Sequence, residues 1–186
     1  MNQQYEPRFV LLAFMIIVGI GGIIFSFFAP NVIQYIFLQT KQTIYLKTPF
    51  LSNILFLAST ITLTAALFIF YQWGKRGIGL GIGASLVTVA LLIFSSFHFH
   101  HVTEKTIEWN EPFQLTKNSY TWEDIDRVRY IPAKSNDGLD EVIFHFKDTK
   151  TLSFLRSSDF HIPLSEIKNL LTIHNIPYEL ESTANE

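Results

Sequence analysis

Three histidines that follow the last long apolar run are the residues best suited to chemistry in this sequence: His98, His100 and His101. Imidazole nitrogens bind zinc, copper and nickel, and an extended strand would place the side chains of His98 and His100 on one face. The segment offers no Asp, Glu or Cys at a recognisable ligand spacing. The histidines are therefore weak candidates for a metal site, and we expect them to anchor the end of an apolar segment without a cofactor.

Other patterns that could carry chemistry are better explained by structure. The glycines within 77–83 could suggest a phosphate-binding loop, but no Lys-Ser/Thr pair follows them and they open an apolar run. Local signatures assemble no Ser/His/Asp set for nucleophilic catalysis. We therefore predict no catalytic residue, no evident small-molecule substrate and a protein that is not an enzyme.

The charge distribution divides the chain into two parts that suit two different solvents. Residues 1–103 contain six charged side chains, whereas residues 104–186 contain nine Lys or Arg and fifteen Asp or Glu. The acidic second part argues against nucleic acid as a partner, because nucleic-acid-binding proteins present basic faces. Cysteine is absent, so the sequence holds no disulfide framework.

Three long apolar runs in the first part predict three transmembrane helices, at about 9–28, 50–71 and 78–97. A helix of roughly 20 residues rises roughly 30 Å, which matches the hydrocarbon thickness of a bilayer. The first run is too long for the apolar core of a signal peptide, and it ends without a small-x-small cleavage site. We therefore expect residues 1–101 to form a multi-pass domain of the cell membrane, with the lipid bilayer as its partner.

The connections between these runs predict how they are arranged. Residues 72–77 are short enough to force the second and third helices into an antiparallel hairpin. Residues 31–47 mix apolar and polar side chains and predict an interfacial amphipathic segment, with a very short fourth span as the alternative. Three basic residues lie near the span ends on each side, so the positive-inside rule favours neither side for the soluble domain.

Small residues at the start of the third helix predict close helix packing. They are Gly77, Gly79, Gly81, Gly83 and Ser85. In lipid, such residues let two helix backbones approach, either within this chain or between the copies of a homo-oligomer; we expect packing within the chain. No Asp, Glu, Lys or Arg lies inside the three runs, which argues against a pump, a proton-coupled transporter or an intramembrane protease.

Residues 102–180 predict a soluble α+β domain with an antiparallel sheet and a closing C-terminal helix. Segments of period 2 predict strands at 106–109, 112–116, 127–131, 141–147 and 151–155. Thr121 and Asp124 have the spacing that caps a helical turn, and Pro163 opens the longer helix. Residues 181–186 are expected to be a disordered tail. The predicted core consists of Trp109, Trp122, Ile125, Val128, Tyr130, Phe144, Phe146, Leu152, Phe154, Ile167 and Leu171.

The order of motifs in this second part resembles a known family. A strand pair is followed by Y-x-W-x-D-I-x-x-V, by further strands and by a helix that ends in I-P-Y-E. Over residues 102–180 this resembles the bacterial pleckstrin-homology-like (PH-like) domains of small membrane proteins of Gram-positive bacteria, although the predicted strands are fewer than that family's seven. The residues that carry the resemblance are Tyr120, Trp122, Asp124, Ile125, Val128, Phe146, Asp148, Ile176, Pro177, Tyr178 and Glu179. The resemblance implies a module for binding or assembly, which in such proteins is usually not a catalyst.

Together these features favour a non-enzymatic scaffold, sensor or partner subunit whose soluble domain binds a protein partner or itself. The first alternative is an accessory or immunity component of a membrane transport or envelope-stress system, which the small-residue helix faces suggest. The second alternative is a metal-dependent enzyme centred on the histidines at 98–101.

Overall fold

The computed structural model describes residues 7–132, 140–155 and 161–180, and the expected disordered tail at 181–186 lies outside them. The chain divides into two compact units. The first unit comprises Met1–Gln39, Lys47–Phe99 and Asn110–Lys117, and the second comprises Thr40–Leu46, His100–Trp109 and Asn118–Glu186. The sequence predicts a single boundary near residue 101. The observed division is finer, because one strand of the second unit precedes the helical hairpin in the sequence.

The first unit is helical, and its helix bounds lie close to those that the apolar runs predict. Its elements are α1 (Pro7–Ser26), α2 (Ala29–Leu38), α3 (Phe50–Trp73), a 3₁₀ turn (Gly74–Gly77) and α4 (Ile78–Phe97). Two segments, Phe9–Ser26 and Phe50–Phe97, are long and apolar enough to cross a membrane. Helix α3 packs against both α1 and α4, and α2 contacts α3 and α4.

The predicted interfacial segment at 31–47 is not one amphipathic piece. Its first part belongs to α2, and its last part is strand β1 (Thr43–Lys47), which joins a sheet. The side chain of Tyr45, at the middle of β1, is buried in the core of the second unit. The strand forms because its backbone groups find partners in a sheet whose other strands lie more than fifty residues further along the chain.

The described residues of the second unit form two four-stranded sheets, one α-helix and a short 3₁₀ turn (Trp122–Asp124). The first sheet has the order β1-β2-β3-β4, and the second has the order β7-β6-β5-β8. The further elements are β2 (His100–Thr103), β3 (Thr106–Trp109), β4 (Asn118–Thr121), β5 (Ile125–Ile131), β6 (Glu141–Phe146), β7 (Thr151–Leu155), α5 (His161–Ile173) and β8 (Tyr178–Leu180). Strands β2, β3 and β4 pair antiparallel in sequence, as do β5, β6 and β7, whereas β8 pairs parallel to β5. The predicted small antiparallel sheet domain is therefore confirmed.

The predicted strand at 112–116 is wrong. Those residues form turns, and the strand lies a few residues later, as β4. The side-chain amide of Asn110 donates a hydrogen bond to the backbone oxygen of Gln114 (3.0 Å), and the Gln114 N–H donates to the oxygen of Glu111 (3.2 Å). These bonds close a turn, so the alternation of Phe113 and Leu115 with polar neighbours does not mark one buried sheet face.

A single apolar core fills the second unit. Ten of the eleven predicted core side chains are buried in it, while Tyr130 is partly buried and packs against it. The core also contains Tyr45, Val102, Ile107, Val142, Leu164 and Ile176. Trp109, Trp122, Phe144 and Phe154 are the largest of the fully buried side chains, and aromatic residues therefore contribute much of the apolar burial.

Candidate functional site

The three histidines of the candidate metal site make separate interactions. Nε2 of His101 lies 2.9 Å from the hydroxyl of Thr43, a strand neighbour in the second unit. The ring of His100 packs edge-on against Phe154, with centroids 5.6 Å apart. His98 directly follows α4 in the first unit, and its backbone oxygen accepts hydrogen bonds from side chains on other helices. Each histidine thus serves the packing of its own unit.

The surroundings of these histidines do not assemble a ligand set. Within residues 7–132, 140–155 and 161–180, no group of three His, Cys, Asp or Glu side chains is arranged to hold a metal ion. Burial lowers the pKa of the His98 imidazole below its ordinary value, and the carboxylate of Glu111 opposes part of that shift. The neutral imidazole is therefore the favoured form of His98 at neutral pH.

A cluster of polar side chains in the first unit surrounds Gln34, which the sequence does not single out. This side chain is only 1% exposed. Its Nε2 donates to the backbone oxygen of His98 at 2.8 Å, and its Oε1 accepts from the Thr48 hydroxyl at 2.8 Å. The Ser52 hydroxyl donates to the same His98 oxygen, and the Ser95 hydroxyl donates to the Ser52 oxygen, each at 2.8 Å. We call these five residues the Gln34 cluster.

The Gln34 cluster provides hydrogen-bond partners for carbonyl groups at the end of α4. The last four carbonyl groups of a helix have no partner within that helix. Besides its bond to His98, Nε2 of Gln34 lies 3.4 Å from the oxygens of both Ser95 and Ser96 at the end of α4. An amide on α2 therefore caps α4. The only sequence signal for this role is an uncharged polar residue in an apolar stretch, which does not name its partner.

The glycine row at the start of α4 divides between two faces of the helix. A side chain at Gly77 would meet Ile69 and Trp73, and one at Gly81 would meet the ring of Phe70. A side chain at Gly79 or Gly83 would meet no described atom within 4 Å. The hydroxyl of Ser85, the last residue of the row, donates to the backbone oxygen of Gly81 (2.9 Å) within α4. Two glycines therefore pack against α3, and two have open space beside them.

A second close approach joins α1 to α3. A Cβ on Gly22 would lie 2.6 Å from Cβ of Thr60, and one on Gly19 would lie 3.7 Å from Thr64. On one side of this contact lies an open apolar groove of about 670 Å³, whose lining includes Ile20 and Ala65. Glycines thus set the distance between α1 and α3, as they do at one face of the α3–α4 hairpin.

In the second unit, several residues of the Y-x-W-x-D-I-x-x-V motif at 120–128 hold the fold together. The Asp124 carboxylate accepts hydrogen bonds from the backbone N–H (2.8 Å) and the hydroxyl (2.7 Å) of Thr121, which confirms the predicted capped turn. These bonds lower the pKa of Asp124. The indole N–H of Trp122 donates to the backbone oxygen of Thr103 (3.2 Å), so the buried ring keeps its donor satisfied.

An aromatic stack supports the other part of that motif. Tyr120 lies against Phe146 and Trp109, with ring centroids 4.3 and 5.3 Å apart. The Tyr120 hydroxyl donates to the Asp148 carboxylate, and that bond is the main cause of the lowered pKa of Asp148. The Lys150 ammonium lies 5.8 Å from the centre of the Tyr120 ring. The side chain of Tyr120 therefore links β4 to Phe146 at the end of β6 and to Asp148 in the turn that follows it.

Comparison of the sequence with known proteins adds no family assignment. No protein-family model matches the chain, and no curated protein matches it.

Proposed function

We propose that this chain is a multi-pass protein of the cell membrane in which α1, α3 and α4 each cross the bilayer. The observation that carries this proposal is exposed apolar helix surface. Only 6% of the residues in Phe9–Ser26 and 17% in Phe50–Phe97 are buried, whereas the core helix of a soluble protein is mostly buried. Water would make exposure of this much apolar surface costly, and lipid removes that cost.

The polar side chains within these helices fit a lipid surrounding. In hydrocarbon, a hydroxyl without a partner is costly, so Ser and Thr bond to the backbone of their own or a neighbouring helix. Thr64 donates to the oxygen of Thr60 at 2.8 Å, and Thr88 to that of Ala84 at 3.0 Å. The hydroxyls of Thr62 and Thr88 lie 2.9 Å apart across the α3–α4 hairpin. These bonds support the placement of the hairpin in a membrane.

For the second unit we propose a PH-like module that binds a protein partner or a second copy of itself, in a protein without enzymatic activity. Two sheets of four strands with α5 after the antiparallel strands support this assignment, as does the structural use of Tyr120, Trp122, Asp124 and Asp148. The protein would then be a membrane-held scaffold, sensor or partner subunit.

Two measurements test this proposal. After cell breakage and a carbonate wash, the full-length chain should stay in the membrane pellet; recovery in the aqueous fraction, without detergent and unaggregated, would contradict the membrane placement. After purification in mild detergent, its mass should exceed that of one chain plus its micelle. A strictly monomeric protein without partners would contradict the binding role.

A second candidate is an accessory role in membrane transport or envelope stress, as part of a larger complex. The two glycines of α4 that face away from α3, Gly79 and Gly83, favour it, because another transmembrane helix could approach closely there. A deletion strain that shows unchanged sensitivity to membrane-active peptides would argue against this role.

A further inference from the structure

The loop between β3 and β4 presents large apolar side chains on its surface. We call residues Asn110–Lys117, which belong to the first unit, the Phe113 loop. Its side chains Phe113 and Leu115 are 59% and 61% exposed. Gln114 separates them in the sequence, Glu111 and Pro112 precede them, and Thr116 and Lys117 follow. Exposed apolar side chains that lie together on a loop indicate a surface that another apolar surface covers.

The Phe113 loop lies beside the end of an apolar helix. The ring of Phe113 packs edge-on against Phe94, with centroids 5.5 Å apart and an interplanar angle of 69°. Phe94 belongs to the last turn of α4, within the segment that is apolar enough to cross a membrane. Ile93 and Phe97, on either side of it, are exposed. The apolar surface of the loop is therefore continuous with that of α4.

The backbone holds the loop in a defined conformation. Phe113 has a φ of 62°, in the left-handed region that a bulky side chain rarely adopts. The buried side chain of Asn110 donates to the oxygen of Gln114, and the backbone N–H of Asn110 donates to the oxygen of Phe99, each at 3.0 Å. A disfavoured conformation that hydrogen bonds maintain is the kind found at functional sites.

We propose that Phe113 and Leu115 enter the lipid at the boundary between headgroups and acyl chains, so that the Phe113 loop anchors the chain to the membrane surface. The inference rests on the proposed membrane placement of α4. Lipid is the partner that fits, because it also covers the exposed apolar residues of α4 with which the loop is continuous. Glu111 and Lys117, near the two ends of the loop, keep their charges at the polar side of that boundary.

Site-directed spin labelling tests this proposal. Because the sequence contains no native cysteine, the label attaches only at the cysteine that is introduced. Three variants of the full chain carry one nitroxide each: Leu115→Cys on the loop, Val89→Cys on an exposed position of α4, and Glu104→Cys on an exposed turn of the second unit. Each is reconstituted in phosphatidylcholine vesicles. Power saturation with oxygen, which partitions into lipid, is compared with saturation by a water-soluble nickel chelate.

We expect oxygen to dominate at Val89 and, at a shallower depth, at Leu115, and nickel to dominate at Glu104. If Leu115 behaves as Glu104 does while Val89 lies in lipid, the anchor is wrong and the membrane placement stands. If Leu115 is shielded from both reagents, a protein partner covers the loop and the anchor is also wrong. Nickel access at Val89 would instead contradict the proposed membrane placement itself.

Discussion

The side-chain amide of Gln34 donates a hydrogen bond to the backbone oxygen of His98, 64 residues further along the chain, with 2.8 Å between the two atoms. The same amide nitrogen lies near two further carbonyl oxygens at the end of α4, and the Thr48 hydroxyl donates a hydrogen bond to the amide oxygen. One buried side chain thus supplies a hydrogen-bond partner to carbonyl groups at the end of a helix to which it does not belong. The end of α4 therefore depends on α2 being correctly packed.

The first prediction concerns the Gln34 cluster. Gln34→Leu keeps the approximate size of the side chain but leaves the carbonyl oxygens of α4 and the Thr48 hydroxyl without their partner. We expect a loss of about 1–3 kcal/mol in the free energy of unfolding, measured as a lower melting temperature of the protein in detergent micelles. The control is Gln39→Leu, the same change at an exposed residue that follows α2, which should have an effect within about 0.5 kcal/mol. Equal effects of the two substitutions would contradict the capping role.

The second prediction uses two adjacent glycines of α1. A methyl group at Gly22 would overlap Thr60, so Gly22→Ala should force α1 away from α3 and cost about 1–3 kcal/mol. At Gly21 the same methyl group would meet no described atom within 4 Å. Gly21→Ala should therefore be neutral or stabilise the helix by up to about 1 kcal/mol, because alanine favours helix more than glycine does. Thermal unfolding in micelles separates the two, and similar melting temperatures would show that α1 does not pack on α3 in this way.

The third prediction concerns the contribution of β1 to the second unit. The buried ring of Tyr45 packs edge-on against Phe154, with centroids 5.7 Å apart, and β1 is an edge strand of the first sheet. A soluble fragment of residues 100–186 lacks this strand and its tyrosine. We expect that fragment to be less stable, by about 3 kcal/mol or more, than a chain in which residues 40–47 are joined to it through a flexible linker.

The linker in that experiment needs roughly 15 Gly/Ser residues, which have a root-mean-square span of about 20 Å. Urea unfolding followed by tryptophan fluorescence gives the two stabilities. As a control, a third chain carries Tyr45→Ala in the joined segment and should lose most of the gain. If the bare fragment were as stable as the joined chain, β1 would not be part of this domain.

The fourth prediction follows from the pKa of His145 on β6. Partial burial lowers that pKa, the positive charges of Arg127 and Arg129 lower it further, and Asp126 and Glu179 oppose the shift in part. The folded form therefore binds a proton less readily than the unfolded form does. Its contribution to stability is complete above the unfolded pKa, near 6.5, and is lost as the pH falls from there through the folded pKa.

We therefore expect the joined soluble chain to lose stability on acidification below about pH 6.5, and we expect His145→Gln to reduce that slope. The control is Thr151→Val. Thr151 on β7 pairs with His145 on β6, and neither threonine nor valine titrates in this pH range. This substitution should shift the stability at every pH alike. An unchanged slope in the His145 variant would mean that its environment does not disfavour the imidazolium.

The long helices α1, α3 and α4 are predictable from sequence to within a few residues, because each run of apolar residues is a local signal. The strands are less so. Strand β1 stands alone between two apolar helices, and β8 pairs with β5 only after α5 has intervened. The information for both pairings is non-local, and a short segment such as Thr43–Lys47 does not contain it.

The sequence predicts which residue types could do chemistry at the candidate site, but it does not predict which contacts those residues make. The sequence indicates the histidines as candidates because imidazole binds metals. In the structure, the ring of His100 packs against Phe154, and Nε2 of His101 lies within hydrogen-bond distance of the Thr43 hydroxyl. Gln34 gives no comparable signal in the sequence. The role of an amide in an apolar stretch depends on the carbonyl groups that pack against it in the folded protein. The pattern at 112–116 predicts a strand, whereas the structure has a turn closed by Asn110, in which Phe113 and Leu115 are exposed.

The most direct test of the membrane account is the sidedness of three single cysteines in intact cells, probed with a membrane-impermeant maleimide. The variants are Lys75→Cys in the turn between α3 and α4, Lys41→Cys before β1 and Ser119→Cys on β4. Three spans predict that Lys75→Cys is labelled from the opposite side of the membrane to Lys41→Cys and Ser119→Cys. Labelling of all three positions from the same side would contradict the proposal that α1, α3 and α4 cross the bilayer.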